Sequence, residues 1–381
     1  MKKNILAGFA ALLVTVSPLN AKPLAKEESA AIRLSLTCST LNSIVAAALR
    51  RDNVFTILEP GKPVLSASGK GLLLSNLRYG NAHGYRPVVQ ITPFKTALNA
   101  AALKLENFSM DGEPPVTPEK ASGEQKARLA TQVYAITDKL TAALNAARLA
   151  NLVVFTYDRQ ACIIYARFQP QVLSPFASGV ALRRFDMADG TLTAVADNGG
   201  SSAPDNQPCG LLAGQGLANK ILKTMKIPGL TFDISPGGVS FAANGLVLSG
   251  KGNTGVELPK WLRGGKLAAH FTATGKIQLP RPNTVRLTIA SITVHKIYRG
   301  AEPLASVPGA LTASAQDSLI NLGLQGAVKD KNLARHAWAR QENRETLALE
   351  LKPESFVHGA AVTLDALSLN NGVLTAGFSV K

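Results

Sequence analysis

The side chains that most often carry catalysis are scattered along this 381-residue chain. No histidine lies four residues from another with a carboxylate between them, the spacing of a metal-hydrolase helix; the histidines are His83, His270, His295, His336 and His358. A Gly-x-Ser-x-Gly elbow is absent. The run Gly214-Gln215-Gly216 begins like a dinucleotide-binding loop, but Asn219 stands where the third glycine should be. The sequence therefore predicts that the protein is not an enzyme and holds neither a metal ion nor a cofactor.

The three cysteines are Cys38, Cys162 and Cys209, and their spacing matches no zinc-binding pattern. In an oxidising compartment one pair of them can form a disulfide and leave the third thiol reduced, and the choice of pair stays open. Cys162 lies between Ala161 and Ile163 in an apolar run. Because apolar surroundings raise the pKa of a thiol, we expect Cys162 to be chemically inert.

Two short segments combine tryptophan with basic side chains, the pattern of a loop that touches a membrane surface. In the first, a tryptophan and three cations flank a pair of glycines: Lys260, Trp261, Arg263 and Lys266. The second contains Trp338 with Arg335 and Arg340. Tryptophan favours the headgroup region and cations pair with anionic lipids, so the first segment is the predicted membrane-surface site. The alternative is that each tryptophan folds back onto the core.

Two predicted helices carry continuous apolar stripes. The first helix extends over residues 124–150, and its stripe consists of Leu129, Val133, Ile136, Leu140 and Leu144. The second lies near residues 308–328, with Leu311, Ala315, Leu319 and Leu322 on one face. Faces of this width either pack into a protein core or line an apolar groove. The leucine, valine and isoleucine side chains of both faces are therefore the candidate lipid-binding residues, with plain core packing as the alternative.

Most of the remaining sequence has the pattern of β-strands, and two of these are unusually long. Apolar and polar residues alternate over residues 266–279 and again over residues 284–298, with a proline-containing turn between them. Strands this long exceed the usual ~5–6 residues and indicate a long, twisted antiparallel hairpin. His270 and His295 fall on its two strands, where we expect a cross-strand pair without a catalytic role.

Each half of the chain thus contains an amphipathic helix followed by antiparallel strands. The predicted fold class is α+β, with long curved antiparallel sheets each packed on an amphipathic helix, in two pseudo-repeated halves. Residues 196–210 are rich in glycine, serine, proline and asparagine, and we expect a linker or surface loop there. This segment would separate an N-terminal domain, residues 22–195, from a C-terminal domain, residues 211–381.

The first 21 residues have the three parts of a secretory signal peptide. Lys2 and Lys3 precede an apolar run, and cleavage is predicted near Ala21. The run is shorter than the ~20 residues that span a bilayer, so we expect a periplasmic or secreted protein. The formal net charge is +16, and removing Lys2 and Lys3 with the leader leaves +14. In a cell envelope this charge favours anionic membrane surfaces and acidic polymers over nucleic acid.

Three segments of the C-terminal half form one architectural pattern: the hairpin LAAHFTATGKIQLPRPNTVRLTIASITVHKIY, the helix PGALTASAQDSLINLGLQGAV and the ending LDALSLNNGVLTAGFSV. Long curved strands that wrap an amphipathic helix in an exported protein resemble the tubular lipid-binding superfamily. The resemblance implies a groove or tunnel, lined by aliphatic side chains, that shelters acyl chains. The chain departs from the family pattern because it lacks a clear long C-terminal helix, and its first half matches less well.

These observations predict an exported, non-enzymatic envelope protein that binds a lipid or another amphiphile in an apolar groove. Its basic loops would touch anionic membrane surfaces. The alternative prediction is a structural or scaffolding envelope module whose sheets pair with a partner protein. A groove would favour the first, and a solid core with an exposed strand edge would favour the second. A third, less favoured alternative is an enzyme whose dispersed site converges in a cavity.

Overall fold

The structure is a computed structural model that describes residues 29–49, 54–80, 84–146, 150–169, 179–200, 203–204, 207–224, 230–232, 238–242, 245–258, 265–329, 333–352, 362–370 and 372–380. The predicted signal peptide, residues 1–21, lies outside the described residues. So do Lys260, Trp261 and Arg263 of the predicted membrane-surface site, together with His83 and His358.

The described residues form mostly β-strands. The strands of the first half are β1 (Ala30–Thr37), β2 (Phe55–Ile57), β3 (Leu65–Ser68), β4 (Gly71–Leu74), β5 (Leu77–Tyr79), β6 (Pro87–Ala97), β7 (Ala100–Met110), β8 (Val153–Asp158), β9 (Ile163–Phe168), β10 (Ala181–Ala188) and β11 (Thr191–Asp197). Those of the second half are β12 (Cys209–Gly214), β13 (Leu230–Phe232), β14 (Val239–Ala242), β15 (Gly245–Leu258), β16 (Gly265–Arg281), β17 (Thr284–Arg299), β18 (Glu302–Pro303), β19 (Ala337–Gln341), β20 (Thr346–Leu351), β21 (Val362–Asn370) and β22 (Val373–Val380). The helices are α1 (Cys38–Leu49), α2 (Gly123–Ala146), α3 (Gln215–Thr224), α4 (Gly309–Lys329) and the short α5 (Leu333–His336).

The larger sheet, which we call the broad sheet, has twelve strands within the described residues. Its order is β21-β22-β12-β1-β11-β10-β6-β7-β9-β8, and the β3–β4 hairpin joins it through the pairing of β4 with β6. Strand β1 lies between β11 and β12, and β12 pairs in turn with β22. All of these pairings are antiparallel, and strands from both ends of the chain share this one sheet.

The second sheet, which we call the long-strand sheet, has the order β13-β15-β16-β17-β20-β19. Strand β14 also pairs with β15, and β18 also pairs with β17. Strands β16 and β17 are 17 and 16 residues long, which confirms the predicted long antiparallel hairpin. Three register shifts interrupt their pairing, and such irregularities bend a strand and increase its twist. A small separate sheet consists of β2 and β5.

Side-chain caps explain where two of the helices begin. At the start of α2 the amide of Gln125 donates to Oγ of Ser122 at 3.2 Å, and the amide of Ser122 donates to Oε1 of Gln125 at 3.0 Å. This reciprocal pair is a capping box, which satisfies two amides that the helix leaves unbonded. The amide of Thr40 donates to Oγ1 of Thr37 at 3.3 Å at the start of α1. The two predicted amphipathic helices are confirmed as α2 and α4.

The two long helices pack on different sheets. Helix α2 covers part of the broad sheet, where it buries Leu129 and Val133 against side chains of β6, β7 and β9. Helix α4 lies on the long-strand sheet, where it buries Ala315 and Leu319 against side chains of β16 and β17. Each helix thus contributes one side of a separate hydrophobic core, and neither spans the whole of its sheet.

The turn between β16 and β17 joins the two sheets. Asn283 at this turn has a positive φ of 60°, a conformation that asparagine tolerates better than most residues. Its Oδ1 accepts a hydrogen bond from the amide of Leu364 on β21 at 2.7 Å, and its carbonyl accepts one from the amide of Leu351 on β20 at 2.8 Å. A third apolar cluster, in which Leu279 and Val285 pack against β12, β21 and β22, lies beside this turn.

The predicted α+β fold class is wrong, because the structure is mostly antiparallel β-sheet and its sheets are not each packed on a helix in two repeated halves. The alternation of apolar residues located individual strands, but it contains no signal for pairing between strands far apart in the chain. Strand β12 pairs with β1 and β22, and this long-range pairing merges the two ends of the chain into one sheet.

The predicted boundary at residues 196–210 includes the end of β11 and the start of β12, both of which pair with β1. The division into two domains at that point stays a prediction. None of the helices in the described part of the chain combines the length and the apolar character needed to cross a membrane.

Candidate functional site

The long-strand sheet has one apolar and one polar face, because side chains alternate along each strand. On β16 one set of alternate side chains is buried: Leu267, Ala269, Phe271 and Ala273. The residues between them are small or polar and only half-buried: Ala268, His270, Thr272 and Thr274. We call the first side, which α4 covers in part, the inner face, and the second side the outer face.

The predicted apolar face of α4 lies against the inner face. Leu319 is buried in the cluster that contains Phe271, whereas Leu311 and Leu322 are half-buried at the margin of the same cluster. Gly252 of β15 allows this close approach, because a Cβ atom at that position would overlap the side chain of Leu319. Leu319 is therefore a core residue, and Leu311 and Leu322 remain partly open to solvent.

The predicted apolar stripe of α2 is divided between core and solvent. Leu129 and Val133 are buried against the broad sheet, and Leu144 is buried against β8 and β9. Ile136 is half-buried, while Leu140 is 43% exposed. Most of this stripe therefore fills a core, and Leu140 alone among its five predicted residues is largely exposed.

A strip of half-buried aliphatic side chains borders the N-terminal end of α4, and we call it the α4 strip. Its members come from β17, from the connection to the helix and from the helix itself: Ile292, Val294, Leu304, Val307 and Leu311. All of them contact one apolar cluster whose buried members include Phe271 and Leu319. The strip is thus an open margin of the core.

Beside the strip, β17 has no neighbouring strand in the part of the chain that the structure describes. Strand β20 pairs with β17 only over residues 284–288, and β18 pairs only with Tyr298 and Arg299. Among the described strands, none pairs with this side of β17 between those two points. One carbonyl of this edge, that of Ile292, accepts a hydrogen bond from Nε2 of Gln316 on α4 at 2.7 Å. The helix therefore bonds to this edge through a side chain, while the strip remains partly exposed.

The outer face carries hydroxyl and imidazole groups in rows across β15, β16 and β17. Oγ of Ser249 and Oγ1 of Thr272 are 3.2 Å apart, and Oγ1 of Thr272 lies 2.8 Å from Nε2 of His295. Further along the hairpin, Oγ1 of Thr274 and Oγ of Ser291 are 2.7 Å apart. These hydrogen bonds link the strands through their side chains and give the face a hydrophilic surface.

A pair of histidines and two lysines lie close together at one end of this face. The ring centroids of His270 and His295 are 5.5 Å apart, which confirms the expected cross-strand pair. The register places Lys251 and Lys296 directly opposite His270 on its two neighbouring strands. Nζ of Lys251 lies 4.2 Å from the ring centroid of Tyr298, a cation–π contact. Lys251 and Lys296 give this row a positive charge, so it favours an anionic partner.

The structure describes one residue of the predicted membrane-surface site, Lys266, which is exposed at the start of β16. In the second tryptophan segment, Trp338 lies on β19 and is 58% exposed, so its indole does not fold back onto the core. Nζ of Lys352 lies 4.9 Å from the centroid of that ring. Trp338 is therefore a solvent-facing aromatic side chain in a basic environment.

No cluster of three or more histidine, cysteine, aspartate or glutamate side chains that could hold a metal ion occurs in the described ranges. All three cysteines are free thiols in this structure. Burial raises the pKa of Cys209 to about 12 and also raises the pKa of Cys38, while Cys162 is fully buried. Thiols in such surroundings are weak nucleophiles, so the cysteines have a structural rather than a chemical role.

No protein-family model matches the chain, and no curated protein sequence matches it. The resemblance to the tubular lipid-binding superfamily therefore stays an expectation from architecture.

Sequence analysis located the long hairpin but missed what its two faces contain. Polar groups recur at every second position over residues 270–274 and 291–295, and this period was the available signal for the outer face. Their alignment depends on the register between three strands. The exposure of the α4 strip depends on the residue at which β20 stops pairing with β17, and no local sequence pattern indicates that residue.

Proposed function

We propose that the protein is a non-enzymatic envelope protein which, after export and removal of its leader, binds an acyl chain or a similar amphiphile along the α4 strip. The observation that carries this proposal is the strip itself, five aliphatic side chains that stay only partly buried beside a helix. Contiguous exposed apolar surface is uncommon on soluble proteins and marks binding grooves. The hydrophilic outer face of the same sheet would remain in contact with water or headgroups.

Apolar burial would supply the affinity. Each methylene group removed from water contributes about 0.8 kcal/mol, and part of the sum offsets the lost translational and rotational freedom of the ligand. The chain of the ligand would need no polar contact. We therefore expect affinity to rise about fourfold for each methylene added, up to the length that the strip can cover.

The ligand-contacting residues in this proposal are fewer than the two helical faces suggested. Leu311 and Leu322 of α4 lie at the solvent margin of the core, so they remain candidates together with Ile292 and Val294 of β17. Leu319 and the buried residues of α2 support the cores beneath them, so we assign them to stability.

The second candidate function is a structural or scaffolding module that pairs with a partner protein. The observation that favours it is the edge of β17 over residues 290–296, where no strand of the described ranges pairs with it, because a strand edge without a neighbour can accept an additional strand. A strand added there would lie over the α4 strip. The two candidate functions therefore predict competition for one place on the molecule.

The test is a displacement titration with a fluorescent fatty acid on the chain without its leader, residues 22–381. Val294→Trp places a large side chain in the strip, and Thr293→Trp places the same side chain on the outer face one residue away. We expect Val294→Trp to weaken probe binding by about tenfold or more, and Thr293→Trp to change it by less than about twofold. Thermal unfolding of both variants checks that the fold is retained.

Equal binding by the two folded variants would exclude the α4 strip as the site. If the wild-type protein binds no fatty acid at all, the carrier proposal fails and the scaffolding alternative gains support. A peptide strand that binds the wild-type protein and is blocked by Val294→Trp would support that alternative directly.

A further inference from the structure

An exposed tryptophan lies at the end of the long-strand sheet, on its outer face. Strand β19 is the last strand of that sheet, and its Trp338 is 58% exposed. The preceding residue, Ala337, is completely buried on the inner side. Gln325 of α4 donates through Nε2 to Oε1 of Gln341 at the other end of β19, at 2.8 Å. The indole thus projects into solvent from a strand that is fixed at both ends.

Cations of β16, β17, β19 and the end of β20 lie on the same outer face as this indole, and we call the group the Trp338 corner: Trp338, Arg281, Arg286, Arg340 and Lys352. The ammonium group of Lys352 lies 4.9 Å from the centre of the indole and donates a hydrogen bond to the carbonyl of Ala334 at 2.5 Å. The side chain of Arg340, two residues from Trp338 on the same face, is 76% exposed. The corner therefore combines an exposed aromatic ring, a cation held against it and a second cation that reaches into solvent.

Two carboxylates lie among the four cations, so the corner keeps a net positive charge. Oε2 of Glu342 is 2.8 Å from Nε of Arg286, and its Oε1 is 3.5 Å from Nη2 of Arg340. Oε1 of Glu350 lies 3.8 Å from Nη2 of Arg281. Because Glu342 is shared between two guanidinium groups, these pairs do not neutralise the corner.

We propose that the Trp338 corner docks the protein on an anionic lipid bilayer. Tryptophan is enriched at the level of the headgroups because its ring is apolar and its N–H is polar. Arginine and lysine beside it would pair with phosphate and carboxylate groups of anionic lipids. The complementary charge and the single protruding ring fit a planar surface of headgroups.

An acidic protein segment is the other class of partner with complementary charge. The shape of the corner favours the bilayer over such a segment. Its aromatic anchor protrudes from the end of a sheet, whereas the anchors of protein interfaces fill pockets in well-packed, desolvated centres. This docking surface is separate from the α4 strip, since one lies on the outer face and the other on the inner face.

The experiment is co-sedimentation of the chain without its leader with vesicles of phosphatidylglycerol and phosphatidylcholine in varied ratio. Trp338→Ala removes the ring and Arg340→Gln removes the most exposed cation. Leu98→Ala and Arg184→Gln are matched controls, since Leu98 is equally exposed at 58% and the Arg184 side chain is 51% exposed. We expect about a fivefold loss for Arg340→Gln, a loss of about tenfold for Trp338→Ala, and less than about twofold for the controls.

A second readout identifies the position of the ring. In a Trp261→Phe background, Trp338 is the remaining tryptophan, and we expect its emission to shift to the blue with anionic vesicles and to be quenched by lipids brominated near the headgroup. Unchanged emission together with equal sedimentation of Trp338→Ala and wild-type protein would overturn the proposal. Equal binding to soluble polyglutamate, without a blue shift, would assign the corner to an acidic protein partner.

Failure of the membrane-docking proposal can be distinguished from failure of the proposal that the α4 strip binds a ligand. Val294→Trp should dock on anionic vesicles like the wild-type protein, and Trp338→Ala should bind the fluorescent fatty acid normally.

Discussion

Glu342 shows how neighbouring charges change the pKa of a single residue on the outer face. A hydrogen bond from Arg286 is the main reason that the pKa of the Glu342 carboxyl is lowered. The positive charges of Arg286, Arg340 and Arg281 lower this pKa further. A carboxyl with a lowered pKa stabilises the folded state above its unfolded pKa, and this contribution is lost as pH falls through the folded pKa. The ionised form of Glu342 thus helps to order the guanidinium groups of the Trp338 corner.

We predict that Arg286→Gln returns the pKa of Glu342 toward the usual glutamate range. Arg344→Gln should leave it unchanged, because Arg344 pairs with Asp317 instead. An NMR titration of selectively labelled glutamate carboxyl groups measures both variants. An unchanged Glu342 titration in Arg286→Gln would show that the arginine does not hold the carboxylate.

The thiols provide a second prediction at the residue scale. With a pKa of about 12 for Cys209, only about one thiol in ten thousand is ionised at pH 8, and burial also limits access to Cys162. We expect iodoacetamide to leave Cys162 and Cys209 unmodified in the folded protein and to alkylate Cys38 slowly. In guanidinium without reductant, all three should react. Fewer than three reactive thiols under those conditions would reveal a disulfide that the structure does not contain.

At the scale of elements, local sequence signals identified the helices and the long hairpin. The leucine and valine spacing of residues 129–144 located α2, and long runs of alternating apolar and polar residues located β16 and β17. The pattern could not tell a core stripe from a ligand-contacting one, because both require the same apolar spacing. Whether a residue of the stripe is buried depends on whether a sheet covers its turn of the helix. Leu129 is covered by the broad sheet, whereas Leu140 is largely exposed.

We predict opposite outcomes for two leucine substitutions on that stripe. Leu129→Ala should lower the free energy of unfolding by about 2–5 kcal/mol, because it leaves a cavity against the broad sheet. Leu140→Ala should change it by less than about 0.5 kcal/mol, because that side chain is 43% exposed. Urea denaturation followed by circular dichroism measures both. A large cost for Leu140→Ala would mean that a partner or another segment covers this position.

At the scale of the whole molecule, the connection between the two ends of the chain was beyond sequence analysis. Strand β12 lies between β1 and β22, so the broad sheet contains strands from both sides of the predicted boundary. Long-range strand pairing is set by register and by closure of the core, and single-strand patterns contain neither. The α+β prediction did not foresee that strands from both halves would pair in one sheet.

We therefore predict that the fragments 22–195 and 211–381 do not fold separately. The first would expose the edge of β1 that β12 covers, and the second would leave β12 without β1. NMR spectra of each fragment alone should show poor dispersion, and mixing the two during refolding should restore a native-like spectrum. Well-dispersed spectra from both separate fragments would contradict this view and support two independent domains.

Native mass spectrometry of residues 22–381 is the sharpest test of whether an amphiphile occupies the α4 strip. The chain would be purified from a bacterial periplasm together with its Val294→Trp and Thr293→Trp variants, and any bound mass extracted into organic solvent. We predict a stoichiometric adduct that extracts as a fatty acid or phospholipid from the wild-type protein and from Thr293→Trp, and its loss from Val294→Trp. An adduct retained by Val294→Trp, or a ligand-free wild-type protein that also fails to take up added fatty acid, would contradict the claim.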